Sequence, residues 1–149
     1  DEPDLIPVLA PLLQREIFYR LLISPVGKYL WQMASVDSQS RRISRAIEWL
    51  KVNFREPLQI KDLAHRVDMS PSRLHHHFRQ FTSMSPLQFQ KWLRLAEARR
   101  LMVVQGMAPS IAAYEVGYGS PSQFSREYAR MFGTSPRRDV LELTKEVSA

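Results

Sequence analysis

The chain has 149 residues, a net charge of +6 and no cysteine. This length suits one or two small domains, and 44% hydrophobic residues suffice for a core. Without cysteine there is no disulfide framework, thiol nucleophile or cysteine-ligated metal site. No apolar run approaches the roughly 20 residues that cross a bilayer, so we expect no membrane partner. The absence of cysteine is compatible with a reducing compartment, and we expect a cytoplasmic protein. Because the chain opens with Asp1 rather than Met, we expect a piece of a longer protein.

Positive charge is concentrated in the middle of the chain. Residues 1–40 carry 3 basic and 5 acidic groups, and residues 139–149 carry 1 basic and 3 acidic groups. Residues 41–138 carry 17 basic and 7 acidic groups, a net charge of +10. A block of this kind typically neutralises a polyanion and releases its counterions. At this point nucleic-acid binding and an ordinary solvated basic surface are both open interpretations.

The first elements in chain order are helical. Residues 5–36 are dense in apolar side chains and predict a helical appendage, which would pack against the basic unit, an absent N-terminal domain or a second copy. A helix is then predicted over residues 43–54. Its buried stripe is predicted at Ile47, Leu50 and Phe54.

The next two elements form a helix–turn–helix. Leu63, Ala64 and Val67 mark a short helix, and a tight turn separates it from a second helix that begins at Ser70 and Pro71. Serine is a preferred N-cap, and proline suits the first helical position. The buried stripe of this second helix is predicted at Leu74, Phe78 and Phe81.

Ser85-Pro86-Leu87-Gln88 is predicted to open a further helix with a serine cap. One long helix is predicted over residues 88–105, ending at Gly106 and Pro109. It spans roughly 27 Å at 1.5 Å per residue. Successive major-groove faces on one side of B-DNA lie roughly 34 Å apart. A rigid connector of this length could therefore hold two reading helices one turn of DNA apart. Its apolar side is predicted to carry Phe89, Trp92, Leu93, Ala96 and Leu101.

A second helix–turn–helix repeats the first about 50 residues later. Ser70-Pro71-Ser72 corresponds to Ser120-Pro121-Ser122. Gly117 is predicted to end the short helix over residues 111–116, because glycine tolerates the left-handed conformation. Gln123 is predicted to complete a capping box with Ser120. The buried stripe is predicted at Phe124, Tyr128 and Phe132 or Met131. A last helix is predicted after Ser135-Pro136, through Val140, Leu141 and Leu143.

These motifs resemble the DNA-binding domain of the AraC family of bacterial transcription regulators. The most specific stretch is Val116 to Tyr128, then Phe132-Gly133 and Ser135-Pro136. The resemblance covers residues 41–139 and implies two recognition helices docked in adjacent major grooves on one face of DNA. It also implies that residues 1–40 are the tail of an N-terminal regulatory domain that senses a small molecule, and that RNA polymerase is a partner. It implies no cofactor, and dimerisation is left open.

The predicted fold is all-α: two helix-turn-helix subdomains joined by a long linker helix, with an N-terminal helical appendage. The predicted domain bounds are 1–40 for the appendage, 41–106 for the first subdomain with the linker, and 107–149 for the second. The predicted function is sequence-specific double-stranded DNA binding in transcription regulation.

The faces opposite the buried stripes are the predicted reading surfaces. Arginine pairs bidentately with guanine and glutamine with adenine, while serine and histidine bond several base edges. The predicted base contacts are Ser72, His75, His76, Ser122, Gln123, Ser125 and Arg126. The predicted phosphate contacts, which position the protein without reading sequence, are Arg73, Arg79, Ser120 and Arg130.

Other interpretations are weaker. His75-His76-His77 departs from the family pattern, but consecutive helical residues point about 100° apart, so the run does not predict a metal site. The Gly117-x-Gly119 pair lacks the third glycine of a dinucleotide loop, and no Walker loop or hydrolase elbow occurs, so no enzyme is predicted. The remaining alternative is a helical module that binds a protein partner through an exposed apolar patch within residues 5–36.

Overall fold

A computed structural model describes Ile17, Arg20, Ser24 and residues 27–147, with the backbone alone for residues 28–37 and 147. The chain divides into two compact units, Asp1–Arg41 and Arg42–Ala149. Most of the predicted appendage therefore lies outside the described residues. The predicted subdomain boundary at residues 106 and 107 stays a prediction.

The described residues form helices joined by short turns, with no strand among them. This confirms the all-α prediction. In chain order the helices are α1 (Gly27–Asn53), α2 (Ile60–Arg66), α3 (Pro71–Thr82), α4 (Pro86–Gln105), α5 (Pro109–Glu115), α6 (Pro121–Phe132) and α7 (Pro136–Val147).

One predicted helix start is wrong. The first helix begins at Gly27 rather than at residue 43, because residues 28–42 contain neither glycine nor proline to interrupt it, although they lack a clear apolar stripe. The linker helix α4 begins at Pro86, as the Ser85-Pro86 signal predicts, two residues before the predicted range of 88–105. Ser85 caps it through a complete capping box with Gln88, whose side chain accepts from the Ser85 N–H at 2.9 Å.

The first core lies between α1, α2 and α3. Leu74 and Phe78 of α3 are fully buried in it, as predicted, but Phe81 is 52% exposed, so that part of the predicted stripe is wrong. Helix α3 ends at Thr82, and its last turn extends past the core. The buried residues of this core are Ile43, Ala46, Leu50, Leu63, Ala64, Val67, Met69, Leu74 and Phe78.

The second core lies between α4, α5 and α6. It fully buries Phe124 and Tyr128, with Met131 and Phe132 partly buried against it, as the stripe predicts. Phe54, which follows α1, belongs to this second core rather than to the first. The other buried residues are Leu95, Ala98, Leu101, Met102, Ala112, Ala113, Val116 and Tyr118.

The apolar side predicted for α4 is confirmed in part. Leu101 is buried, and Phe89 and Leu93 are partly buried and pack against the cores. Trp92 is 41% exposed, and Ala96 is only partly buried. The reason is that α4 serves both cores. Phe89 and Leu93 pack against the first core, and Leu93 also packs against the second. A helix that buries different sides along its length has no single apolar stripe.

The turn of each helix–turn–helix contains one residue with a positive φ angle, but the residue type differs between the two turns. Asp68 has φ +56° in the first turn, and Gly117 has φ +99° in the second. Glycine is required at 117 for a second reason: a Cβ there would collide with the backbone carbonyl of Arg55. The second helix–turn–helix therefore packs directly on the backbone that follows α1.

No helix among the described residues is both long and apolar enough to cross a membrane.

Candidate nucleic-acid interface

The first candidate recognition helix is α3. The Ser70 hydroxyl accepts from the Arg73 N–H at 3.3 Å, and Pro71 occupies the first position, so the predicted cap is present. With Leu74 and Phe78 buried, the opposite face is open to solvent. Of the predicted DNA contacts, Ser72, Arg73, His76 and Arg79 are exposed and His75 is half-buried.

The three histidines of α3 point in different directions. His76 is exposed, while His77 is half-buried with Nδ1 3.1 Å from Gln80 Oε1. The rings of His76 and His77 meet edge to face with centroids 5.1 Å apart. Among the described residues no three His, Cys, Asp or Glu side chains cluster as ligands of a metal ion.

The second candidate recognition helix is α6, whose length matches α3 at 12 residues. Ser120 caps it by accepting from the Gln123 N–H at 3.3 Å. Phe124 and Tyr128 hold it in the second core. Of the predicted DNA contacts on this helix, Ser120 is half-buried, and the exposed ones are Ser122, Gln123, Ser125, Arg126 and Arg130.

The capping box predicted for α6 is wrong. The Gln123 side chain does not return to Ser120 but donates from Nε2 to Glu127 Oε1 at 3.3 Å. Glu127 stands one helical turn further on and offers a carboxylate to the amide. The hydrogen bond to Glu127 therefore fixes the position of the exposed Gln123 side-chain amide.

Glu127 is the centre of a polar cluster that was not among the predicted site residues. It accepts from the Tyr118 hydroxyl at 2.7 Å and from Lys91 Nζ at 3.0 Å. Burial alone would raise the pKa of Glu127, but the bonds from Tyr118, Lys91 and Gln123 outweigh burial and lower the pKa below its ordinary value. The cluster ties α6 to the preceding turn and to α4. Only the spacing of four between Gln123 and Glu127 could have signalled it from sequence.

The arginines of the second unit divide into engaged and available groups. The engaged ones bond to carbonyls or carboxylates and are Arg42, Arg45, Arg55, Arg94, Arg99, Arg100 and Arg138. Within the described part of the chain, no hydrogen bond or ion pair engages the guanidinium groups of Arg66, Arg73, Arg79, Arg126 and Arg130. Arg66 on α2 lies over the Trp49 ring, with its guanidinium carbon 5.1 Å from the ring centroid. The other four lie on α3 and α6, and they can meet an external anion without losing an internal partner.

Arg137 is a further cation that was not among the predicted site residues. It lines an open cleft of about 440 Å³ together with Ser125 of α6, Ser135 and the first residues of α5. Its guanidinium likewise has no partner in the described residues. The sequence signal was present in Arg137-Arg138, but only the structure separates Arg138, which pairs with Glu142 at 2.9 Å, from Arg137.

Comparison with known proteins agrees with this architecture. Residues 63–139 match the family model of a helix-turn-helix domain, and residues 1–29 match that of the AraC-type transcriptional regulator N-terminus. The chain belongs to the AraC family of transcription regulators. DNA binding in transcription regulation is the role of this family, and that role is not enzymatic.

Among curated relatives, the HTH-type transcriptional activator RhaS of Yersinia pestis (strain Pestoides F) is 30% identical over 128 residues. RhaS of Yersinia pseudotuberculosis serotype O:1b (strain IP 31758) matches equally. Each alignment covers 84% of this chain and 45% of the relative, so the chain spans less than half the length of these proteins.

Solved structures of other proteins also share the fold. A transcriptional regulator with an AraC-type DNA-binding domain from Chromobacterium violaceum matches with a TM-score of 0.65 and 26% identity, over 69% of this chain and 92% of that one. The DNA-binding domain of AdpA, solved in complex with a target DNA, matches with a TM-score of 0.65 and 24% identity, over 70% of this chain and 94% of that one. The helix-turn-helix part of this AraC-family chain is thus a sequence-specific DNA-binding module of transcription regulation.

Proposed function

We propose that this chain binds double-stranded DNA by placing α3 and α6 in two adjacent major grooves. The observation that carries the proposal is the matched pair of helices. Each has 12 residues, a serine cap and a proline start, and each buries two large apolar side chains while its exposed face carries two available arginines. Helix α4, with 20 residues, spans roughly 30 Å between them.

The exposed side chains divide into two roles. Base edges are assigned to Ser72, His75, His76, Ser122, Gln123, Ser125 and Arg126, because their chemistry matches the donors and acceptors of the major groove. Phosphates are assigned to Arg73, Arg79, Ser120 and Arg130, which flank the reading faces. Arg137 joins the phosphate group, since its cleft adjoins Ser125.

One chain carries both reading helices, so spanning two grooves needs no dimer and the site need not be palindromic. We assign no catalytic step and no cofactor to the chain. We place its action in the cytoplasm, where bacterial DNA lies.

The family implies further partners for the full-length protein. The Yersinia relatives are transcriptional activators, which supports contact with RNA polymerase. The match of residues 1–29 to the N-terminal family model supports an effector-sensing domain joined to this one. In vitro transcription tests the contact with RNA polymerase. The promoter carries a site that this chain binds, and adding the full-length protein should increase the amount of transcript.

Selection from a random pool of double-stranded DNA, at about 150 mM salt, tests the DNA-binding proposal. The expected product is a two-part motif with centres about 10 base pairs apart. A salt series on the selected duplex should give a log–log slope near −0.9 per neutralised phosphate. Binding that depends on salt but enriches no motif would reduce the chain to a nonspecific basic domain. Absence of binding would favour the protein-partner alternative.

A further inference from the structure

Side chains of the linker helix α4 donate hydrogen bonds to the backbone carbonyls of all three residues that follow α1. Gln90 Nε2 donates to the Phe54 and Glu56 carbonyls at 3.2 and 2.7 Å. Arg94 Nε donates to the Phe54 carbonyl at 2.6 Å, and its terminal nitrogen donates to the Arg55 and Glu56 carbonyls at 3.2 and 3.1 Å. Two side chains of α4 thus hold one short segment, residues 54–56, through five hydrogen bonds.

The second helix–turn–helix docks on the same segment. Arg55 Nε donates to the Glu115 carbonyl at the end of α5 at 3.1 Å. Gly117 lies against the Arg55 carbonyl, where a Cβ would not fit. The Phe54 ring is buried in the second core, and the Arg94 guanidinium stands 5.8 Å from the centroid of the Tyr118 ring. Residues 54–56 therefore join the helix of the first core to the turn of the second.

The chemistry of this junction makes it stiff. Gln90 is 5% exposed, and a buried amide is stable only while its hydrogen bonds are made. Residues 54–56 directly follow the C-terminal end of α1, where the helix dipole places partial negative charge, and the Arg94 cation complements this charge. Since each side chain bonds to more than one carbonyl, rotating one recognition helix relative to the other would break several hydrogen bonds at once.

We propose that Gln90 and Arg94 are positioning residues that set the spacing between α3 and α6, and so restrict the chain to operators with one separation of half-sites. The proposal rests on the proposed function, because spacing matters only if both helices read DNA. Neither residue is among the proposed DNA contacts. One inserted base pair moves a half-site by about 3.4 Å and turns it by roughly 35°, a displacement that a stiff junction cannot follow.

A distance measurement without DNA tests the stiffness directly. The chain has no cysteine, so Gln80→Cys on α3 and Ala129→Cys on α6, both exposed positions, can carry a unique pair of spin labels. We expect a narrow distribution of label distances in the parent and a broadened one in Gln90→Met and Arg94→Met. Arg100→Met is the matched control, because Arg100 lies on the same helix but bonds only to Glu97. Equal widths in all four proteins would overturn the proposal.

A binding series then tests the consequence. Affinity is measured for duplexes that carry the selected two-part motif at its own spacing, with one base pair inserted or removed between the half-sites, and with one half-site scrambled. We expect the parent and Arg100→Met to lose affinity by about tenfold, a difference of about 1.4 kcal/mol, on each shifted duplex. The Gln90 and Arg94 variants should lose affinity at the selected spacing and show a clearly smaller penalty on shifting.

The outcomes separate this proposal from the proposed function. Variants that bind more weakly at every spacing, with the parental penalty unchanged, would show that Gln90 and Arg94 only stabilise the fold. Arg94→Lys keeps the charge but loses the planar fork, so it should relax the spacing while remaining folded by circular dichroism. If the parent enriches no motif, the DNA-reading proposal fails, whereas the label distances still report the junction.

Discussion

The hydroxyl group of Tyr128 donates a hydrogen bond of 2.6 Å to the carboxylate of Asp139. The same carboxylate accepts a bidentate pair from Arg99, at 2.8 and 3.0 Å. Burial, together with the bond to Asp139, raises the pKa of Tyr128 above its ordinary value, so the donor stays protonated. Because the three residues lie on α6, α7 and α4, this network anchors the second recognition helix from its buried side.

Tyr128→Phe should therefore lower the free energy of unfolding by about 1–3 kcal/mol, the cost of removing a hydrogen bond to a charged group in a buried site. Urea unfolding monitored by circular dichroism measures it. Tyr114→Phe is the control, because that ring is exposed and its hydroxyl makes no bond within the described residues. Equal stability of the two variants would contradict the role of the network.

Three glycine substitutions separate backbone strain from collision. Gly119→Ala meets no atom within 4 Å and has no positive φ, so we expect a change within about 0.5 kcal/mol. Gly133→Ala, at φ +75° and also in open space, should cost about 1–2 kcal/mol from the left-handed conformation alone. Gly117→Ala combines that strain with the collision against Arg55 and should cost more than Gly133→Ala. A smaller loss at 117 than at 133 in urea unfolding would show that the turn shifts freely.

Removing the side chain of Arg126 should affect DNA binding differently from removing that of Arg130. Arg126→Ala is expected to cost about 1–3 kcal/mol on the selected duplex and to relax one base position, as for a base contact. Arg130→Ala should weaken binding about equally on all sequences and reduce the salt slope by about 1. Fluorescence anisotropy on the selected duplex and its single-base variants distinguishes the two. A uniform loss for Arg126→Ala would reassign that residue to the phosphate backbone.

Acid should destabilise the fold through Glu97 and Glu127. The hydrogen bond from Arg100 lowers the pKa of Glu97, and the pKa of Glu127 is also lowered. A carboxylate with a lower pKa in the folded state stabilises the protein above the unfolded value, about 4.3 for glutamate, and that stabilisation is lost as pH falls. The free energy of unfolding should thus decrease between pH 6 and pH 3, and by less in Glu127→Gln. Glu48→Gln, which removes only an exposed pair with Lys51, should retain the parental decrease.

The residues alone were sufficient to predict the order of the helices, their N-terminal caps and most of their buried side chains. Ser70, Ser85 and Ser120 cap helices that begin with proline, and Leu74, Phe78, Phe124 and Tyr128 are buried, as their spacing predicts. These features depend on hydrogen bonds and side-chain periodicity within about one or two turns of helix, so they are local properties of the sequence.

Only the tertiary structure decided which polar groups hold the modules together and which remain available for DNA. Gln90 and Arg94 act on carbonyls more than 30 residues earlier, and Asp139 accepts from a helix 40 residues before it. The same distant contacts bury Gln90, leave Trp92 exposed and divide the arginines between internal bonds and an open surface. Helical periodicity specifies which residues share a face, but it contains no information on which distant backbone that face meets.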